Sequence, residues 1–316
     1  MHVLIAGPTT AKPFLDALAS AVRTDTVRVQ CRYDLLRPSD YEGWADVDIL
    51  VPFALPCSDA DMAGAPRLRA VIVPSLGFEG VDVESAMRRK LAVANGRIAE
   101  NFESVAEAAV MFMLMSLYDI HAVEARLRSG VARTGPPTAR MLKGKIIGLI
   151  GYGNIAKAVA ARLSGWGVQI LVTTRRPVSA DVGSFIQQCD FDTLLDRSDI
   201  VLPLVPLTVD TRHMLSKAEL LRMKRGAILI NLSRGEVVDE HALHDPEVTS
   251  HLGAIALDVF EIEPLPMHSP LRNRPATILT GHEISHTQEN LNALLDTAVA
   301  NVQNAIAGRA LLTPLG

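Results

Sequence analysis

The stretch Lys145-Ile-Ile-Gly-Leu-Ile-Gly-Tyr-Gly-Asn-Ile-Ala156 constrains the fold more than any other part of the chain. An apolar run leads straight into a glycine-rich turn, and an Ala-rich segment of helical character, Ala156 to Leu163, follows. A strand buried on both faces reads as such a continuous apolar run. A glycine turn that opens a helix is the phosphate-cradling unit of a βαβ fold. The spacing is Gly151-x-Gly153-x-x-Ala156. Gly151 suits the tight turn, Gly153 lets the backbone approach a pyrophosphate, and Ala156 stands where helix and strand pack closely. Asn154 and Ile155 open the helix and complete the candidate cofactor-binding turn. A second apolar strand, Val168 to Val172, follows at βαβ spacing.

The end of that second strand bears on which dinucleotide is bound. A domain selective for NAD places Asp or Glu about 20 residues after the glycines, where it accepts from the ribose 2′-hydroxyl. Here the sequence is Val172-Thr-Thr-Arg-Arg-Pro177, without a carboxylate. Thr174, Arg175 and Arg176 offer a hydroxyl and two guanidiniums, and a guanidinium pairs with a phosphate in a bidentate fork. The expectation is NADP(H) as preferred cofactor, with NAD(H) the alternative. A solvated Arg-Arg loop is the rule for an arbitrary pair, but this offset from the glycines argues against it.

The 316 residues suit about two domains. A hydrophobic content of 48% supports sizeable cores. The net charge of −4 leaves no basic footprint for nucleic acid. Cys31, Cys57 and Cys189 are scattered, odd in number and without paired metal spacing. They suggest no disulfide framework, and a cytoplasmic, reducing setting is expected. The opening Met1-His-Val-Leu-Ile-Ala-Gly7 is too short for a signal peptide and reads as a first strand. The apolar run Val105 to Leu117 contains Glu107 and is shorter than a membrane span, so it reads as a buried helix.

Strands alternate with helical stretches throughout, which predicts an α/β protein with parallel sheets. Strands are expected at His2–Ala6, Val27–Arg32, Asp48–Pro52, Ala70–Pro74 and Ala92–Ala94, with helices at Lys12–Val22 and Val83–Arg89. Glu103 to Arg128 reads as one long helix, and Gly135-Pro-Pro137 as a linker. Further strands are expected at Lys145–Ile150, Val168–Val172, Ile200–Leu204, Ala227–Asn231, Gly253–Leu257 and Thr277–Leu279. Two doubly wound units fit this order, with ligands beyond the carboxyl ends of their strands.

Three polar motifs fall at such ends. In Ile230-Asn-Leu-Ser-Arg-Gly235, Arg234 is placed to hold a substrate carboxylate in a fork, against the commoner reading of a surface ion pair. Ala256-Leu-Asp-Val-Phe-Glu-Ile-Glu-Pro264 brings Asp258, Glu261 and Glu263, of which Glu261 reads as solvated rim. In Leu279-Thr-Gly-His-Glu-Ile-Ser-His286, His282 at a strand end is a natural acid–base group. That segment also matches the zinc-protease pattern His-Glu-x-x-His. The preceding Ala276-Thr-Ile-Leu-Thr280 is a strand pattern closed by Gly281, whereas the zinc pattern needs both histidines one turn apart on a helix. No metal is expected.

Taken in order, Gly148-Leu-Ile-Gly-Tyr-Gly-Asn-Ile155, Ser198 to Thr208, Met223 to Asp239 and Leu257 to Pro266 resemble the D-isomer-specific 2-hydroxyacid dehydrogenases, including glyoxylate/hydroxypyruvate reductase-like and phosphoglycerate dehydrogenase-like enzymes. Ser75-Leu-Gly-Phe-Glu-Gly-Val-Asp82 and Ser104-Val-Ala-Glu107 add to the resemblance, which covers nearly the whole length. It implies a Rossmann cofactor domain, residues 99–284, inserted into a flavodoxin-like substrate domain, residues 1–98 plus 285–316, with a cleft between them. It implies Arg234, Glu263 and His282 as the catalytic set, with the backbone at Leu76 and Gly77 gripping the substrate carboxylate alongside Arg234. It also implies Asp258 near the nicotinamide carboxamide, and Val205, Pro206 and Thr211 along the cofactor.

The implied reaction is hydride transfer between nicotinamide C4 and C2 of a small 2-oxo or 2-hydroxy acid, in a homodimer with no nucleic-acid or membrane partner. Two departures stand out. The family usually has Pro before the catalytic His, where this chain has Gly281, and His286 is not usual at its place. A looser turn at His282 and an unusual substrate pocket are expected. The alternatives are the same scaffold acting on a phosphonate or phosphite, and a non-enzymatic NAD(P)-sensing, corepressor-like protein.

Overall fold

Twelve strands, most of them apolar runs, form among the residues described by the computed structural model, which are 1–132, 135–136, 138–179 and 183–315. The strands are β1 (His2–Ala6), β2 (Arg28–Arg32), β3 (Ile49–Pro52), β4 (Ala70–Ile72), β5 (Ala92–Ala94), β6 (Ile146–Ile150), β7 (Gln169–Thr173), β8 (Ile186–Gln188), β9 (Ile200–Pro203), β10 (Ile228–Asn231), β11 (Ala254–Leu257) and β12 (Thr277–Leu279). The helices are α1 (Lys12–Val22), α2 (Asp59–Ala63), α3 (Val83–Arg88), α4 (Ala99–Tyr118), α5 (Ile120–Arg128), α6 (Asn154–Arg162), α7 (Phe191–Arg197), α8 (Lys217–Arg222), α9 (Glu240–Leu243), α10 (Pro246–His251) and α11 (Gln288–Ile306). Of the expected linker, Pro137 lies outside the described residues. The chain divides into unit 1, residues 1–101 and 287–316, and unit 2, residues 102–286.

Unit 1 is built on a parallel sheet in the order β2-β1-β3-β4-β5, the flavodoxin-like winding. Alternate residues of its strands feed two cores. Val3, Ile5, Ile49 and Val51 face α1 and α11, and Leu4, Leu50 and Val71 meet Trp44, Met62 and Ala86. Pro13 in the first turn preorganises α1. Its buried Leu15, Leu18, Ala19 and Val22 recur at the spacing of one helical face. Burying a side chain of this size contributes roughly 1.5–3 kcal/mol. The Thr287 hydroxyl caps α11 by accepting from Asn290 N–H, and Ala298, Val302 and Ala305 pack it into the unit 1 core.

Unit 2 carries a seven-stranded parallel sheet in the order β12-β11-β10-β9-β6-β7-β8. Counted from β6 this is the Rossmann winding with a seventh strand added at β12. One face packs Ile147, Leu149, Ile170 and Ile200 against α4 and α6, and the other packs Leu171, Val201, Leu229 and Ile255 against residues of α7, α8 and α9. Strand order reverses between β6 and β9, the place where such sheets bind ligands.

One expected element differs. The helix predicted over Glu103 to Arg128 is two helices, α4 and α5, bent by 56° at Asp119, whose φ of 48° is left-handed. Asp tolerates this conformation better than most residues. The run Val105 to Leu117 is helical, with Val105, Ala109, Phe112 and Met113 buried in the unit 2 core. No single helix among the described residues is long and apolar enough to cross a membrane.

Candidate active site

The glycine turn sits at the carboxyl end of β6. Gly151 has φ 98°, and a Cβ there would lie 2.7 Å from the Leu204 carbonyl oxygen and 3.0 Å from Val205. Only glycine combines this conformation with so close an approach. A Cβ on Gly153 would meet nothing within 4 Å, which leaves room before the first turn of α6 and its unpaired N–H groups. Asn154 is exposed there, Ile155 is half-buried, and Ala156 is buried in the core. These residues fit a dinucleotide: an open backbone cradle at a helix N-terminus suits a pyrophosphate.

Val205 thus meets the glycine turn directly. Pro206 and Thr211 share the turn that follows β9, closed by the Thr211 hydroxyl donating to the Pro206 carbonyl at 2.7 Å. Beyond β7, Thr174 is half-buried, while Arg175 and Arg176 are exposed. One side chain spans this loop. The Gln188 amide donates to the Thr174 carbonyl at 3.2 Å and accepts from Val178 N–H at 2.9 Å.

Arg234, Glu263 and His282 lie beyond the carboxyl ends of β10, β11 and β12, three neighbouring strands. His282 Nδ1 and Glu263 Oε2 are 2.7 Å apart, with side chains 46% and 36% exposed, so the pair is open to a ligand. Burial opposes ionisation of Glu263. The His282 hydrogen bond, Phe260 N–H and the charges of His282 and Arg234 outweigh it and hold the carboxyl below its ordinary value. The hydrogen bond that His282 donates to Glu263 raises the imidazole above its ordinary value, against burial and repulsion from Arg234. The site therefore holds an imidazole–carboxylate pair in which each partner favours the charged form of the other, with a guanidinium nearby.

The sequence did not disclose how these groups are aimed. Buried Asn231 receives Ser233 N–H and hydroxyl on Oδ1 and donates through Nδ2 to the Arg234 carbonyl, fixing the loop that carries Arg234. A Cβ on Gly235 would stand 1.9 Å from the Phe260 carbonyl carbon, so the loops bearing Arg234 and Glu263 touch backbone to backbone. Glu261 is exposed, as a rim residue should be, yet tied. Its carboxylate accepts from Glu240 N–H at 3.0 Å and pairs with His213 at 2.9 Å. Its own N–H donates to Glu240 at 3.1 Å.

Asp258 organises the turn of His282. Its carbonyl accepts the His282 N–H at 2.6 Å. Its carboxylate accepts from the Thr280 hydroxyl at 2.6 Å and from the N–H groups of Glu283 and Ile284 at 3.1 and 3.3 Å. Burial pushes the Asp258 carboxyl above its ordinary value, against these hydrogen bonds. His282 itself has a left-handed φ of 58°. The turn expected to be loosened by Gly281 is thus held by Asp258. Glu283 to His286 form a turn, not a helix, so His282 and His286 do not share a helical face.

In unit 1, the residues Ser75-Leu-Gly77 follow β4. The Ser75 carbonyl accepts from Gly96 N–H at 2.7 Å, that of Leu76 from Asn95 Nδ2 at 2.7 Å, and that of Gly77 from the Ser75 hydroxyl at 2.9 Å. Three consecutive carbonyls are committed within the unit. Leu76 and Gly77 are themselves half-buried.

A parallel sheet wound in this order, with a glycine cradle at its switch point and a histidine–carboxylate pair beyond neighbouring strands, has the architecture of a dinucleotide-dependent oxidoreductase. Residues 110–283 match the family described as "D-isomer specific 2-hydroxyacid dehydrogenase, NAD binding domain". The chain is 36% identical over 248 residues to glyoxylate/hydroxypyruvate reductase B of Enterobacter sp. (strain 638), covering 77% of this chain and 76% of the relative. It is 35% identical over 277 residues to a glyoxylate reductase of Thermofilum pendens, covering 83% and 79%. The crystal structure of the TT0316 protein from Thermus thermophilus aligns over the full length of both chains, with a TM-score of 0.84 and 28% identity. The chain belongs to the D-isomer-specific 2-hydroxyacid dehydrogenase family, NAD(P)-dependent oxidoreductases that act on CH–OH groups.

Proposed function

We propose that this protein is an NADP(H)-preferring 2-oxo acid reductase, operating reversibly as a D-2-hydroxyacid dehydrogenase, with His282 as its acid–base residue. The observation that carries the reading is the 2.7 Å contact between His282 and Glu263 beside Arg234. Glu263 occupies Nδ1, which leaves Nε2 of the imidazolium to donate a proton to the oxygen on C2 of the substrate. Arg234 carries the positive charge that orients the acid and stabilises negative charge developing on that oxygen. The amides of Leu76 and Gly77 serve as donors to the substrate carboxylate. When bound, the reduced nicotinamide supplies a hydride to C2. With the proton from His282, the C=O bond becomes CH–OH, and the reverse reaction returns the proton to His282.

On the cofactor side, Gly151, Gly153, Asn154 and Ile155 would hold the pyrophosphate, and Val205, Pro206 and Thr211 would line the dinucleotide. Thr174, Arg175 and Arg176 would receive the 2′-phosphate. Asp258, which holds the His282 turn, would lie near the nicotinamide carboxamide. The protein acts as a homodimer joined through unit 2, where Tyr118, Ile120, Val123 and Leu127 leave apolar surface exposed on α4 and α5. The reading is tested by following NADPH and NADH oxidation with a panel of 2-oxo acids. Absence of turnover with every acid and both cofactors would favour the non-catalytic, corepressor-like alternative.

A further inference from the structure

Three loops of unit 2 are joined by side chains that the chemistry of His282 does not use. Glu261 stands on the loop that follows β11 and carries Glu263. Its N–H donates to the Glu240 carboxylate at 3.1 Å, and its own carboxylate accepts Glu240 N–H at 3.0 Å. Glu240 opens α9, on the segment that follows Arg234. His213 Nε2 stands 2.9 Å from the same Glu261 oxygen, Oε1. His213 comes from the chain that follows β9, where its N–H donates to the Glu236 carbonyl at 2.7 Å and neighbouring Arg212 pairs with the Glu236 carboxylate. One carboxylate oxygen thus receives groups from two other loops.

The junction is held tightly. The exchange between Glu240 and Glu261 is reciprocal, so each side chain fixes the other's backbone. His213 keeps a left-handed φ of 51°. A residue other than glycine holds that conformation where its surroundings impose it. The loops also touch main chain to main chain at Gly235 and Phe260. From the junction to the imidazole the path is short. Phe260 N–H, next to Glu261, donates to Glu263 Oε1 at 3.0 Å, and Glu263 Oε2 stands 2.7 Å from His282 Nδ1.

We propose that Glu261, held by Glu240 and His213, is a positioning residue that aims the Glu263 carboxylate at His282. Its importance for turnover rests on the proposed acid–base role of His282. The charged groups that face the imidazole are Glu263, Arg234 and Asp258. Glu263 alone of the three meets a ring nitrogen, and a hydrogen bond of that kind depends on aim. If the loop relaxes, the support for imidazolium weakens and His282 titrates at lower pH.

NMR titration of the His282 ring in the full-length protein, assigned by the signal that His282→Asn removes, tests this without turnover. The side chains of His213 and Glu261 are partly exposed, so their replacement leaves the core intact. Glu261→Ala should lower the His282 pKa by about half a unit or more, and slow kcat several-fold with KM for the 2-oxo acid nearly unchanged. Glu261→Gln loses the charge but keeps Oε1 as acceptor, so it should titrate close to the parent. His213→Ala should shift His282 in the same direction as Glu261→Ala, by less. Glu240→Ala, which removes the acceptor of Glu261 N–H, is read in the same way should Glu261→Ala not fold. A His282 titration unmoved by Glu261→Ala or Glu240→Ala overturns the proposal. So does a Glu261→Gln shift as large as that of Glu261→Ala, which would make the effect one of charge. Absence of turnover with every 2-oxo acid would overturn the reductase reading, and the titration would still decide the positioning.

Discussion

The main-chain N–H of His282 donates to the carbonyl of Asp258 at 2.6 Å, while the Asp258 carboxylate receives the N–H groups of the two residues that follow the histidine. A left-handed residue just beyond β12 is thereby clamped by the residue that follows β11. Asp258→Ala would remove the carboxylate contacts and keep the carbonyl. Turnover should fall by about tenfold or more, and the His282 titration seen in the pH–rate profile should shift or broaden as the turn relaxes. An Asp258→Ala enzyme with the parent's turnover and pH profile would show that the clamp has no part in aiming the imidazole.

Replacing the proton donor is the more severe test. His282→Asn should lower turnover by roughly two orders of magnitude or more while dinucleotide binding, followed by fluorescence titration, changes little. Arg234→Lys should raise KM for the 2-oxo acid and slow turnover, because an ammonium cannot form the fork. Near-normal reduction by His282→Asn would exclude the mechanism.

The pairing of His282 with Glu263 has a definite pH sign. Glu263 raises the imidazole pKa, and reduction requires imidazolium, so reduction should decline as pH rises through that raised value. Glu263→Gln removes the supporting charge, and the decline should move to lower pH. The linked stability follows from both shifts. The contribution of His282 is complete below its ordinary value of 6.5 and lost as pH rises through the raised one. That of Glu263 is present above its ordinary value of 4.5 and lost as pH falls through the lowered one. A Glu263→Gln profile that coincides with the parent's would contradict this coupling.

Cofactor choice should depend on Arg175 and Arg176 together with the amide that braces their loop. Changing both arginines to Ser should raise KM for NADPH at least about tenfold and leave that for NADH nearly unchanged. Gln188→Glu keeps an acceptor for Val178 N–H, loses the donor to Thr174 and adds a carboxylate, so it should move preference toward NADH. Equal or better catalytic efficiency with NADH in the unmodified enzyme would dispose of the NADP(H) preference.

Metal dependence and assembly give the last expectation. Despite the His282-Glu-Ile-Ser-His286 pattern, elemental analysis should find no stoichiometric zinc, and chelators should leave turnover unchanged. Sedimentation should give a dimer that Val123→Glu with Leu127→Glu dissociates. Tightly held zinc with chelator-sensitive activity, or a monomer at micromolar concentration, would count against the respective half.

The glycine turn and the parallel alternation were legible because burial on both sheet faces writes long apolar runs into the sequence. β8 was not, since its three residues, Ile186–Gln188, lie at the sheet edge and are largely polar and exposed. The break between α4 and α5 was hidden because Asp119 interrupts a helical pattern without proline or glycine and acts through its own dihedral angle. The strand-end positions of Arg234, Glu263 and His282 could be read from their motifs. Their supports could not. Asp258 works largely by accepting main-chain hydrogen bonds, and Glu240 joins Glu261 from 21 residues away. Such partnerships depend on strand neighbours rather than on spacing, although a buried Asn such as Asn231 at the end of an apolar strand is a signal that invites the question.

Residues 102–286 assemble the imidazole, its carboxylate, the guanidinium and the aspartate clamp within one folding unit. The turn that follows β4 and a cavity at the carboxyl ends of β3 and β4 are built from residues 52–81, a different part of the chain. On the proposed roles of Leu76, Gly77 and His282, changes in that short stretch would alter which acid is accepted without altering how the proton donor titrates. The two properties can therefore diverge separately among descendants of a common scaffold, one by changing a few apolar walls while the other stays fixed.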